Sequence, residues 1–333
     1  MSLQHRAKGD IRLSVNNNRP DIWKADIAAS VDYYNKWFLD FAPATFRDVR
    51  TGATVRVNEA LDLTDNLMSL SVVTLVDHPE ILPILRMSTC PPLAQDRLSG
   101  LAGVSRNLIN SMEDKESPRL PPRMKKQKLY DDLTKVVNTI QKMIDPDIFT
   151  WFDEFESVSD EDVWRAATVV ADRLCGSDTN PIIRNKQERR QLALIKGSLE
   201  GIGYRQVELH SGATFRDLKP GEFSFRINIP GSLEGGNTVN IPVDIVIRRK
   251  SDKEGDLPLL FEAKSAGDFA NVNKRRKEEA NKLANLRRAY GTRVKLNLLL
   301  CGYFDTGYLG YAAAEGCDWV WEHRLSDLEL FGL

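Results

Sequence analysis

Two short apolar runs with ionisable residues set inside them constrain this chain more than any other feature. Residues 239–247 read V-N-I-P-V-D-I-V-I and residues 257–264 read L-P-L-L-F-E-A-K. The connector, 248–256, is charged and ends in turn residues, so the pair predicts a β-hairpin. Side chains alternate along a strand, which puts Glu262 and Lys264 on one face. The hairpin brings Asp244 from the neighbouring strand beside them. A charge inside V-D-I-V-I or L-L-F-E-A-K is costly to bury without a partner or a metal ion.

The chemistry of that cluster is specific. Two carboxylates at one point repel unless a cation sits between them. Hard oxygen ligands of this kind suit Mg²⁺, which keeps waters and accepts phosphate oxygens of a substrate. A lysine beside the ion can position a water and stabilise charge building on a phosphate. The sum predicts metal-assisted hydrolysis of a phosphodiester. A D…E-x-K match alone is common in sequence, and the apolar runs on both sides distinguish this one. Pro242-Val243-Asp244 and Glu262-Ala263-Lys264 resemble the PD-(D/E)XK nuclease signature. Val243 is inserted where the strict form has Pro and Asp adjacent; the second half fits without departure.

Composition sets the frame. The chain has 333 residues, enough for two domains or one large one. A net charge of −1 hides an uneven distribution, because Asp244 to Lys295 holds 14 Lys/Arg against 8 Asp/Glu. A basic stretch beside the hairpin suits a polyanion. Cys90, Cys175, Cys301 and Cys317 form no CxxC pair, which fits a reducing cytoplasm with buried thiols. The histidines show no zinc-type spacing. A polar N-terminus and the lack of any uncharged run near about 20 residues predict a cytoplasmic protein with no membrane association.

Along the chain, residues 20 to about 175 read as mainly helical. Asp21–Phe41 is amphipathic, whereas Leu61–Val76 fits helix or strand equally. Asp96–Met112 has the form of a helix-turn-helix core or of an ordinary helical hairpin. It turns at Gly103, and Ser105 stands as the cap of a second helix. In the first form Arg106 and Asn107 lie where recognition helices touch base edges. Ser117–Lys128 is a stiff, positive segment suited to a phosphate backbone or to a solvated loop. The turn formers from Gly176 to Pro181 predict a boundary, dividing a helical domain, 1–176, that helps bind DNA from a second domain, 177–333. The latter reads α-β-β-β-β-α-β-α-β, an α/β (α+β) fold with a mixed central sheet flanked by helices. That order matches the core of the nuclease family.

The resemblance extends the site. A further acid from the helix before the hairpin is common in the resembling family, and Glu188 is the candidate, suited to a second metal ion or to a surface ion pair. After the hairpin, Lys274-Arg275-Arg276-Lys277 opens a helix. Positive charge is unfavourable at a helix N-terminus, so these residues are expected to meet a phosphate backbone or guanine edges. E-A-K-S-A-G-D-F-A-N-V-N-K-R-R-K-E-E-A-N-K and the later D-W-V-W-E-H-R resemble type II restriction endonucleases, most closely the XamI family. The likeness is strong in the C-terminal half and weak before it.

The resemblance implies a Mg²⁺-dependent enzyme that cuts both strands of a short palindromic site in double-stranded DNA, with the XamI sequence GTCGAC as a possible target that these residues do not themselves show. It also implies a homodimer and a companion DNA methyltransferase. Asp244 and Glu262 are then the metal ligands, helped by the carbonyl of Ala263, and Lys264 orients or activates the attacking water. Two rivals stand beside it. One is a repair, resolvase or transposase-type nuclease that acts on DNA structure; the other is a DNA-binding regulator with a degenerate nuclease fold.

Overall fold

The computed structural model describes residues 14–152, 158–210, 214–270 and 272–333, with only the backbone over 272–276. The chain divides into two compact units. One is Phe41–Ile183; the other joins the chain up to Asp40 to Arg184–Leu333.

The helices of the first half are α1 (Trp23–Leu63), α2 (Val72–Asp77), α3 (Leu82–Met87), α4 (Gln95–Ala102), α5 (Arg106–Met112), α6 (Lys126–Gln141) and α7 (Asp160–Gly201). Within the 41–183 unit, α6 buries Leu129, Leu133, Val136, Val137 and Ile140, the stripe expected of a helix with one face in a core. Gly103 takes a left-handed φ of +62°, and the Ser105 hydroxyl accepts the Leu108 N–H at 3.3 Å. The α4–α5 turn is therefore formed as its residues predict.

The stretch from Gly176 to Pro181 is no turn. It lies inside α7, so the break expected there is replaced by continuous helix. The polar turn formers are satisfied within that helix and its surroundings. Ser177 Oγ donates to the Leu174 carbonyl at 2.9 Å, and Thr179 Oγ1 to the Cys175 carbonyl at 2.8 Å. Asp178 takes Arg56 at 3.2 Å and Lys115 at 3.1 Å. Side chains that compete with a helix in turns are here bonded back along it, and the helix continues through them.

The other unit is built on one six-stranded sheet. Its elements are β1 (Arg205–Gln206), β2 (Glu222–Ser232), β3 (Thr238–Ile247), β4 (Leu259–Ala266), α8 (Val272–Tyr290), β5 (Leu296–Gly302), α9 (Thr306–Ala314) and β6 (Trp319–Trp321). The strands lie in chain order. β2, β3 and β4 run antiparallel; β1–β2, β4–β5 and β5–β6 are parallel. This is the mixed, helix-flanked sheet expected from the sequence. β5 is buried along its whole length, as a strand covered on both faces must be. On one face Leu260, Leu298 and Leu300 pack with Leu283 and Leu286 of α8 and with Leu309 of α9. On the other, Phe261, Leu299 and Val320 pack with Ile195 and Leu199 of α7.

The segment ahead of α1 is tied into this unit. The Asp318 carboxylate accepts the backbone N–H groups of Val15 and Asn16 at 2.7 and 2.9 Å. Asn16 Nδ2 donates to the Trp319 carbonyl and to Asp327, and Trp23 packs against Trp319. Three free thiols, Cys175, Cys301 and Cys317, are buried as expected, but Cys90 is exposed. Among the described residues no helix is long and apolar enough to cross a membrane.

Candidate active site

The site begins with an irregularity in the β2–β3 ribbon. The ladder pairs Phe225 with Ile245 and Ile227 with Val243, leaving no pair at Arg226 and Asp244. Arg226 has a φ of +54°, uncommon for a non-glycine residue. At this point both strands change face. Phe223, Ile245 and Ile247 join one core, whereas Ile227, Ile229, Ile241 and Val243 join the other. The β3–β4 ladder ends beside it, at Ile245 and Phe261. The strands part where Asp244 and Glu262 would have paired.

Side chains fill the gap. Asp244 Oδ2 accepts the Ala263 N–H at 2.9 Å, replacing the missing ladder bond. A residue's own N–H and C=O lie on the same edge of a strand, so the Ala263 carbonyl also faces Asp244. Glu262 is 1% exposed and Lys264 Nζ lies 3.2 Å from its Oε2. The alternation read from E-A-K thus places Glu262 and Lys264 together, on the side of the sheet that α8 covers.

Helix α8 supplies two groups that reasoning from the sequence passed over. Its inward stripe is Glu279, Lys282, Leu283 and Leu286, at steps of three, one and three. The leucines anchor the helix, and the two charged members lie over the site. Glu279 Oε1 is 3.9 Å from Lys264 Nζ, and Glu279 accepts the Tyr308 hydroxyl. Lys282 Nζ donates to Glu262 Oε2 at 2.8 Å and to the Pro242 carbonyl at 2.9 Å. From α7, Gln191 reaches the Lys264 carbonyl at 3.4 Å.

The electrostatics follow from burial and charge. Burial and the nearby Glu262 carboxylate raise the Asp244 pKa, against the Ala263 N–H and the two lysines. For Lys264, burial opposes the charged form, but Glu262 and Glu279 outweigh it and the pKa is raised.

A divalent cation fits this donor set. Glu262 Oε1 is buried with no hydrogen-bond partner among the described residues, an oxygen whose desolvation they leave uncompensated. No group of three or more His, Cys, Asp and Glu side chains able to hold a metal ion occurs among the described residues. The site therefore offers two carboxylates and a carbonyl, a set that suits Mg²⁺ completed by waters and substrate phosphate rather than a closed cage.

The remaining candidates are scattered. Glu188 lies on α7 and pairs with Arg226 at 2.6 Å, both well exposed. The helical acid that the fold brings to Lys264 is Glu279. Arg106 is exposed and pairs with Asp96 at 3.1 Å, and Asn107 is exposed next to it. Lys277 is exposed on the second turn of α8, while the side chains of Lys274, Arg275 and Arg276 lie outside the described residues.

Comparison with known proteins shows the family. A family model described as XamI restriction endonuclease matches residues 65–321. The type II restriction enzyme SalI of Streptomyces albus G is 48% identical over 319 residues, covering 96% of this chain and 99% of that protein. A solved structure, protein VC1899 from Vibrio cholerae, is similar over 78% of this chain and 55% of that chain. Its 12% identity and TM-score of 0.25 are too low to bear on the fold.

Proposed function

Because this chain belongs to the XamI restriction endonuclease family and is a site-specific type II endonuclease, we propose that Asp244, Glu262 and the Ala263 carbonyl hold the Mg²⁺ on which its cleavage depends. Membership of that family sets aside the structure-directed nuclease and the non-catalytic regulator. The observation that carries the proposal is the parting of β3 and β4, with Asp244 on the Ala263 N–H and Glu262 beside Lys264.

When bound, Mg²⁺ supplies Lewis-acid stabilisation of the phosphodiester and lowers the pKa of water at the site. The protein groups do the rest. Lys264, held by Glu262 and Glu279, orients the attacking water and offsets negative charge that builds on the phosphate. Gln191 and the Ala263–Asp244 bond fix the strand that carries it. Water attack with loss of the 3′ oxygen leaves a 5′-phosphate and a 3′-hydroxyl. Lys274, Arg275, Arg276 and Lys277 at the start of α8 take phosphate backbone or guanine edges, and Arg106 and Asn107 at the start of α5 contact bases. Glu188, exposed on α7 and paired with Arg226, is given no part in this site, where Glu279 is the helical acid beside Lys264. A palindromic target calls for a two-fold homodimer, and a cell that carries such an activity needs a methyltransferase to protect its own sites.

The test is digestion of unmethylated phage DNA in roughly millimolar Mg²⁺, the range a weakly held site needs, with Lys264→Ala alongside. Wild type is expected to give discrete bands whose sequenced ends give the recognition site, and Lys264→Ala to lose about 10²-fold or more in rate. Normal cutting by Lys264→Ala would refute the assigned site.

A further inference from the structure

We propose that Lys282 is a built-in cation which holds Glu262 through Oε2 in the free enzyme and lowers the affinity of the adjoining site for the divalent ion. The inference rests on the metal site proposed above and adds a residue to it.

The geometry is that of a stand-in ion. Lys282 Nζ bridges the Pro242 carbonyl of β3 and the Glu262 carboxylate of β4. It spans the opening left where the β3–β4 ladder ends. A backbone carbonyl and a carboxylate oxygen are the donors a hard divalent cation takes. Lys264 lies by the same Glu262 oxygen at 3.2 Å and close to Glu279 at 3.9 Å, so two acids fix its place. Among the described residues Lys282 bonds directly to one acid and one neutral carbonyl, with Asp244 near enough to feel its charge, and its side chain is 25% exposed. A long, flexible stem with a path to solvent lets the ammonium leave without disturbing α8, whose packing depends on Leu283 and Leu286.

Charge gives the direction of the effect. In the absence of metal, Glu262 is nearly fully buried and needs a countercharge. A unit positive charge a few ångströms from a divalent cation repels it. Metal and Lys282 ammonium therefore compete for Glu262, and each weakens the hold of the other by the same factor. The device keeps the acid in place before metal binds, and in doing so sets the metal affinity low.

The test is titration with Mn²⁺ alone, followed by electron paramagnetic resonance without DNA, of wild type, Lys282→Met, Lys282→Arg and Asp244→Ala. Removing the competing charge is expected to tighten Mn²⁺ binding by about fivefold to tenfold in Lys282→Met, a discounted value for one partly exposed charge. Lys282→Arg keeps the charge and is expected to stay within about twofold of wild type. Equal or weaker binding by Lys282→Met would overturn the proposal, weaker binding meaning that Lys282 only props Glu262. Thermal melts of the same samples show whether a variant is folded; should Lys282→Met fail to fold, Lys282→Gln carries the same expectation. Asp244→Ala separates the two levels. Loss of Mn²⁺ binding there with no gain in Lys282→Met removes the role of Lys282 alone, whereas unchanged binding in Asp244→Ala removes the metal site itself.

Discussion

Gly302 ends β5 with a φ of +94°, and a Cβ at that position would lie 2.1 Å from the Ala266 carbonyl oxygen. That oxygen belongs to the last residue of β4, two beyond Lys264, and accepts the Tyr303 N–H at 2.9 Å. The Gly302 N–H in turn donates to Ser30 at 2.8 Å. A side chain here forces backbone to move, and the left-handed φ adds its own cost. Gly302→Ala is expected to destabilise the protein by about 2 kcal/mol or more, read as a lower urea midpoint. An unchanged midpoint would mean that β4 and β5 do not meet so closely. At this same scale the sequence conceals Lys282 and Glu279. Charged residues inside a helix rich in Lys, Arg and Glu read as a solvated face. The signal that identifies them is position, since they continue inward the stripe of Leu283 and Leu286.

The elements that bear the acids were legible because a strand announces itself locally. β3 and β4 are apolar runs bounded by turn residues, and E-A-K alternation brings Glu262 to Lys264 by period alone. The parting of those strands was not legible, because it coincides with an irregularity at Arg226 on β2, a residue of the neighbouring strand. Glu188 illustrates the same limit on a helix. It follows Gln187 by one residue, or about 100° of rotation. The helix turns Gln187 and Gln191 inward and leaves Glu188 to Arg226. Within α7 the residues Gly176–Pro181 mislead for a different reason: Ser, Asp, Thr and Asn favour turns only when their side chains have no helical partner. This has a measurable sign. Gly176 sits in mid-helix, and a Cβ added there would meet open space, so Gly176→Ala is expected to stabilise by about 0.5–1 kcal/mol. A drop in melting temperature would restore the turn.

At the scale of the molecule, the sheet unit draws on two distant parts of the chain. Residues 14–40 supply it with the Asn16 bonds to Trp319 and Asp327, the Trp23 ring against Trp319, and the Asp26 carboxylate that holds Arg324. A fragment spanning 177–333 lacks all of these and uncovers Trp319, which is fully buried in the whole chain. It is expected to be unfolded or aggregated by circular dichroism and sedimentation, and a cooperative melt from that fragment would contradict the division. The same arrangement orders events during synthesis. Asn16 and Trp23 leave the ribosome first, yet their partners at Asp318 and Trp319 come nearly three hundred residues later. Domains tend to complete in the order they emerge, so the 41–183 unit can close while the first segment waits. The sheet unit is then completed only once Asp318 and Trp319 have been made, and a product interrupted before them lacks the contacts that hold residues 14–40.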